Sequence, residues 1–238
     1  MDNNYLKGFR NITKQLEKID FPEARNVSMY ITECDKTKLE LTDAEIDTAK
    51  YIMKLIGGND NARIHSDSIA KAIRADCAEL KMVYDYLMQL GYSNEKLQEF
   101  YSKDQSILCY ALKEITEQYE YLLKIGLTTE QIKELFLDTI YIGPYSLKER
   151  CEVVLKYFDK KMIYILGKQY LFYGYYTDPV DCIEYVVKRL GIEKAEKILR
   201  EQDMLLYLWK EKYQRNDWTH GPQHREALEL IEKYETMV

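Results

Sequence analysis

Two stretches that repeat each other constrain this chain most. Tyr84-Asp-Tyr-Leu-Met-Gln-Leu-Gly91-Tyr-Ser-Asn-Glu-Lys-Leu returns 35 residues later as Tyr119-Glu-Tyr-Leu-Leu-Lys-Ile-Gly126-Leu-Thr-Thr-Glu-Gln-Ile. The ending recurs in Tyr51-Ile-Met-Lys-Leu-Ile-Gly57 and Tyr185-Val-Val-Lys-Arg-Leu-Gly191, with a degenerate copy near Val153-Val-Leu-Lys-Tyr-Phe158. Self-similarity at this period belongs to stacked helical hairpins, each too small to bury its apolar face alone.

Each copy has a physical logic. The apolar positions five, four and one residues before the Gly fall on one helix face, and the Gly suits the left-handed backbone that ends a helix. Ser93 or Thr128 then offers an N-cap, so a second helix is expected to restart at once. Pro22, Pro144, Pro179 and Pro222 each precede a helical pattern and are expected at helix starts. The pattern predicts an all-α fold in which hairpins of about 34 residues stack into a short right-handed solenoid or compact helical array.

The expected helices are 4–19, 22–36, 42–57, 66–75, 78–91, 93–102, 106–126, 128–138, 146–159, 160–173, 179–191, 192–201, 203–214 and 222–236. Residues 1–40 lack the Gly-ended pattern and read as an N-terminal helical cap. Residues 41–215 form the repeat array, and 216–238 a polar loop with a capping helix, all expected as one continuous domain.

The run Leu90-Gly91-Tyr-Ser-Asn-Glu-Lys-Leu, then Ile107-Leu-Cys-Tyr-Ala-Leu and Tyr119-Glu-Tyr-Leu-Leu-Lys-Ile-Gly126, resembles the repeat of mitochondrial transcription termination factor-like proteins. The resemblance covers roughly residues 50–200. It implies short helices stacked in a curved array, which in that family grips a nucleic-acid duplex. Only the architecture is carried over, because residues 79–139 hold eleven acids against six lysines.

Composition narrows the function. The formal charge is −6, so the surface as a whole is not a phosphate-binding field; residues 160–215 are the exception, with eleven Lys or Arg against eight acids. No basic-then-apolar leader opens the sequence and no apolar run approaches a membrane span, which predicts a soluble cytoplasmic protein. The five scattered cysteines, Cys34, Cys77, Cys109, Cys151 and Cys182, read as reduced, buried small hydrophobes.

Catalytic and cofactor patterns do not emerge. Gly57-Gly58-Asn59-Asp60 lacks the spacing and Lys of a P-loop, and Gly221-Pro222 separates His220 from His224, which denies them a shared helix face for a metal. His65 has no nucleophile motif beside it. Residues 64–92 fit a helix-turn-helix outline, but Glu79, Lys81 and Asp85 on its second helix suit a plain hairpin better than a DNA-reading one. No enzyme activity, metal or organic cofactor is expected.

Tyrosine is the anomaly, at 22 residues. Such rings suit the edge of a shallow helical core and anchor interfaces at low entropic cost. The expected function is a non-enzymatic recognition scaffold for a protein or peptide, with a nucleic-acid-binding regulator using the basic C-terminal half as the alternative. Lys-, Ile- and Tyr-rich usage suits an AT-rich bacterium or its phage, where such a scaffold would occlude a host protein. The expected partner surface lies in residues 160–177, which contain no acid before Asp178. Lys161, Tyr164 and Lys168 form one helical stripe, and Ile163, Leu166, Tyr170 and Tyr173 the core stripe. Tyr175 and Tyr176 are placed on the following loop and included in the binding surface.

Overall fold

The computed structural model describes residues 3–57, 64–75, 77–103, 105–139, 143–169, 171–172, 179–201 and 222–236, with side chains for all of these except 138, 143–146 and 222–227. The described residues are helical or irregular and include no strand. The chain divides into two compact units, Met1–Ile115 and Thr116–Val238.

The first unit contains α1 (Asn3–Glu17), α2 (Ala24–Cys34), α3 (Asp43–Ile56), α4 (Ser66–Ile73), α5 (Cys77–Gln89) and α6 (Asn94–Lys103), then a 3-10 turn at Ser106–Cys109. Helix α1 packs on α2 and α3, α2 on α4, and α3 on α4, α5 and α6. Gly8, Ile12 and Leu16 bury the inner stripe of α1, at the i, i+4, i+8 spacing of one face. Gln15, on the same helix, holds the chain ahead of α3: its amide oxygen accepts from Leu41 N–H at 2.8 Å and its amide nitrogen donates to Leu41 C=O at 3.1 Å. Thr42 and Glu45 then close a capping box that starts α3.

Helix α7 (Leu112–Lys124) contains the dividing line between the units. The second unit continues with α8 (Thr129–Thr139), α9 (Gly143–Tyr157), α10 (Lys161–Lys168), α11 (Pro179–Glu201) and α12 (Pro222–Thr236). Helix α9 packs on α11, α10 touches α8, α9 and α11, and α12 lies on α11. Arg189 clamps that last pair, its guanidinium meeting Glu235 at 2.5 and 2.6 Å, while Lys194 donates to Tyr234 C=O at 3.2 Å.

The junctions expected from the repeats form as matching sets of bonds. Gly91 N–H donates to Met88 C=O at 2.9 Å and Tyr92 N–H to Leu87 C=O at 3.3 Å; Gly126 to Leu123 and Leu127 to Leu122 repeat this at 2.9 and 3.2 Å. Both glycines have positive φ, 89° and 93°, as this double-bonded helix end requires. Ser93 Oγ then accepts from Lys96 N–H at 3.2 Å and Thr128 Oγ1 from Gln131 N–H at 3.2 Å, starting α6 and α8. Gly57 and Gly191 also have positive φ, 76° and 74°. Gly191 breaks α11 near its middle, so the segments expected as 179–191 and 192–201 meet end to end.

The structure departs from expectation in four places. The helix expected over 106–126 begins only at Leu112, because Tyr110 is extended and two carboxylates take the next N–H groups: Glu114 accepts from Ala111 at 2.9 Å, Glu79 from Leu112 at 2.6 Å. The helix expected over 160–173 stops at Lys168, where Leu171 N–H turns back to Leu166 C=O at 2.8 Å. Pro22 lies in a turn, and α2 starts after Glu23, itself left-handed at φ 53°. Cys34 and Cys109 are exposed and Cys77 half-buried, because they lie at helix ends or in the 3-10 turn; only Cys151 and Cys182 are in the core. Burial pushes the Cys151 thiol up to about 12, so it stays protonated. The helix expected over 203–214 lies outside the described residues.

Candidate interaction surface

Aligning the copies on burial rather than on glycine exposes a five-residue unit. It reads Lys50-Tyr-Ile-Met-Lys54 in α3, Asp85-Tyr-Leu-Met-Gln89 in α5, Glu120-Tyr-Leu-Leu-Lys124 in α7, Glu152-Val-Val-Leu-Lys156 in α9 and Glu184-Tyr-Val-Val-Lys188 in α11. The third residue is core in all five: Ile52, Leu87, Leu122, Val154 and Val186 are each 0% exposed. The first and fifth residues are exposed throughout.

The expected apolar face is thereby refined. Before Gly91 and Gly126 the fully buried position is the fourth back, with Tyr86, Tyr121, Leu90 and Ile125 half-buried. Before Gly57 and Gly191 it is the fifth back, Ile52 and Val186, together with Ile56 and Leu190 next to the Gly. At Gly57 the cap N–H reaches Met53, four residues back, where Gly91 and Gly126 reach three back, and the glycine stands five residues past its core position at Gly57 but four past it at Gly91 and Gly126.

The second residue of the unit is Tyr in α3, α5, α7 and α11, and half-buried each time. Burial, with Asp85 of α5 next and Tyr84 and Cys77 behind it, pushes the Tyr51 hydroxyl up to about 12. Burial, with Cys151 and Glu152 of α9 behind it, does the same to Tyr121 of α7. The tyrosine of one copy thus lies near the acid of the next, in each unit separately. Lys156 extends the pattern, meeting Glu184 at 3.0 Å between α9 and α11. Tyrosine mostly occupies the core edge: of fourteen with described side chains, Tyr92 and Tyr101 are buried, Tyr30 is exposed and eleven are half-buried.

The stripe expected to bind a partner lies on α10. Ile163 and Leu166 are fully buried beneath it, as the periodicity requires. Gly167 lets α8 approach closely, since a Cβ there would meet Leu135 Cδ1 at 2.8 Å and Phe172 Cε2 at 2.9 Å. Lys161 and Lys168 are exposed and Tyr164 is half-buried. An acid from the neighbouring helix joins two of the three: Glu134 of α8 accepts from the Tyr164 hydroxyl and meets Lys168 Nζ at 2.8 Å, with Lys168 4.6 Å from the Tyr164 ring centroid. Lys168 and then Tyr164 hold the Glu134 carboxyl below its ordinary range. Tyr175 and Tyr176 lie outside the described residues, as do Tyr170 and Tyr173.

Comparison with protein-family models, curated proteins and solved structures finds no match for this chain.

The remaining candidates fall into structural places. His65 precedes α4, where its backbone N–H donates to the buried Gln105 amide oxygen at 2.8 Å. Among the described residues no three His, Cys, Asp or Glu side chains gather in a metal-binding cluster, and no helix is long and apolar enough to cross a membrane. His220 and the His224 side chain lie outside the described residues. Sequence reasoning missed Glu134, whose only signal is its α10 partners, and the five-residue register, which an alignment on Tyr rather than Gly brings out.

Proposed function

We propose that the chain is a non-enzymatic recognition scaffold, a short array of helical hairpins that binds another protein through outward-facing repeat positions. The observation that carries this reading is the fourth residue of the unit: Met53, Met88, Leu123, Leu155 and Val187 are apolar in every copy although exposed or half-exposed. The fold accounts for the other positions, the third as core, the second as core edge, the first and fifth as solvated or laterally paired. An outward position kept apolar in every copy is what a repeat scaffold uses to hold a partner.

Charge pairing favours a protein partner over nucleic acid. In the second unit Lys148, Lys156, Lys168, Arg189 and Arg200 each meet a carboxylate, Glu152, Glu184, Glu134, Glu235 and Glu196 respectively. Cations held this way offer phosphates less than the sequence count promises. The resemblance to mitochondrial transcription termination factor-like repeats supports the array alone, and the AT-rich usage extends the proposal to a bacterial or phage regulator that occludes a host protein.

The test is cross-linked affinity capture from the native host. One protein partner, displaced by excess untagged chain, is expected. Binding of duplex DNA at physiological salt without any protein capture would replace this reading with the nucleic-acid one.

A further inference from the structure

We infer that Gly191 is a hinge and α12 the splint that locks it, so that the half of α11 beyond Gly191 and α12 open together. Gly191 has φ 74° and ψ 166°, a backbone conformation essentially confined to glycine. Gly57, by contrast, ends α3 at φ 76° and ψ 30°, the ordinary left-handed cap. Helix α11 therefore does not stop at its glycine; it kinks there and runs on to Glu201.

Burial shows what the kink accomplishes. Ile183, Val186 and Leu190 are buried before it, and Ala195, Ile198 and Leu199 after it. On one unbroken helix, at about 100° per residue, these two stripes would face about 140° apart. Only the break lets both enter the core. Glycine also accepts helical dihedrals, so α11 has an alternative in which it runs straight and the second stripe leaves the core.

The restraint on that alternative comes from α12. Beside Gly191 itself there is none: among the described residues a Cβ there meets no atom within 4 Å, whereas one on Gly126 lies 2.6 Å from Lys160 Nζ. The last turn of α12 bonds to both sides of the break. Glu235 meets the Arg189 guanidinium, ahead of Gly191, at 2.5 and 2.6 Å. Beyond Gly191, Lys194 donates to Tyr234 C=O at 3.2 Å, and the Tyr234 hydroxyl donates to Glu201 at 2.7 Å. Ile231, fully buried, anchors α12 one turn earlier. The first half of α11 is held separately, tied to α9 by Lys156–Glu184 at 3.0 Å. The second half has one more tie at its far end, where Gln169 donates to Arg200 C=O at 3.2 Å. The splint is accessible, since the Arg189 and Glu235 side chains are 34% and 31% exposed, which leaves their pairing open to a competing charged surface.

Amide hydrogen exchange on the whole chain, read by mass spectrometry, tests the coupling from both ends. Tyr234→Phe/Glu235→Ala removes splint bonds and is expected to speed exchange about threefold or more in residues 192–201, with 179–190 unchanged. Gly191→Ala acts at the hinge. Its methyl group meets open space, so its effect reports backbone conformation alone, and by the reciprocity of coupling it is expected to speed exchange in residues 222–236 by about threefold or more. Unchanged exchange in α3 and α9 shows the rest of the fold intact in both variants. Undiminished protection of 192–201 in the first variant, or of 222–236 in the second, overturns the proposal. So does equal loosening of both halves of α11, because Gly191 is then no hinge. Should Gly191→Ala fail to fold, the result with Tyr234→Phe/Glu235→Ala decides by itself.

Discussion

Gln118 of α7 fills the position that Val83 fills in α5, 35 residues earlier, and both are buried, at 0% and 2% exposure. Val83 needs nothing there. Among the described residues neither the amide oxygen nor the amide nitrogen of Gln118 finds a hydrogen-bond partner. An unpaired buried amide costs about 1–3 kcal/mol, so Gln118→Val is expected to stabilise the fold by about 1–2 kcal/mol in urea titrations. A loss of stability instead means that a bound water or partner group satisfies the amide.

Asp20 ends α1 the way Gly91 ends α5. Its N–H donates to Glu17 C=O at 3.0 Å, Phe21 N–H to Leu16 C=O at 3.0 Å, and its φ is 52°. A left-handed non-glycine residue costs about 1 kcal/mol, so Asp20→Gly is expected to raise the melting temperature by the equivalent of about 1 kcal/mol. An unchanged or lower value shows that the carboxylate contributes something the backbone geometry does not reveal.

Gly8 of α1 lies against the backbone of Lys38. A Cβ there would stand 2.1 Å from the Lys38 carbonyl oxygen, and backbone cannot swing aside as a side-chain tip can. Gly8→Ala is expected to destabilise by about 2 kcal/mol or more, despite the higher helix propensity of Ala. A chemical melt showing stabilisation would mean that the Lys38 loop is free to move.

Glu134 offers a pH readout. Lys168, then Tyr164, holds its folded-state carboxyl below the ordinary carboxylate value. The cluster's contribution is therefore fully present above that ordinary value and fades as pH falls through the depressed one. Carboxyl carbon chemical shifts should give Glu134 a midpoint below that of an unpaired glutamate, rising in Lys168→Met and in Tyr164→Phe. Because the site is exposed, overall stability is expected to change little. A midpoint that stays put in both variants dissolves the cluster.

Much of the chain was legible from local rules. Gly91 and Gly126 with Ser93 and Thr128 spell a helix end and a helix start within three residues, and such short-range bonds depend on little beyond the chain itself. Local rules also misled where a distant group intervened: Glu79 accepts the Leu112 N–H from 33 residues away and delays a helix that periodicity alone begins at residue 106. Periodicity separates Lys161, Tyr164 and Lys168 from the buried stripe of α10, but it carries no sign of Glu134, which reaches Tyr164 and Lys168 from another helix.

The sequence by itself determined the helical character of the described residues and the breaks at Gly57, Gly91, Gly126 and Gly191, since periodicity, capping and left-handed turns are properties of a few adjacent residues. Tertiary packing decided which of three adjacent apolar residues enters the core, because the one-residue offset between the Gly57 and Gly91 helix ends shows only in burial. It also decided which charges are spent within the fold and left Leu123 and Leu155 facing solvent. Burial and charge pairing are set by neighbours far away in sequence, and no local pattern encodes them.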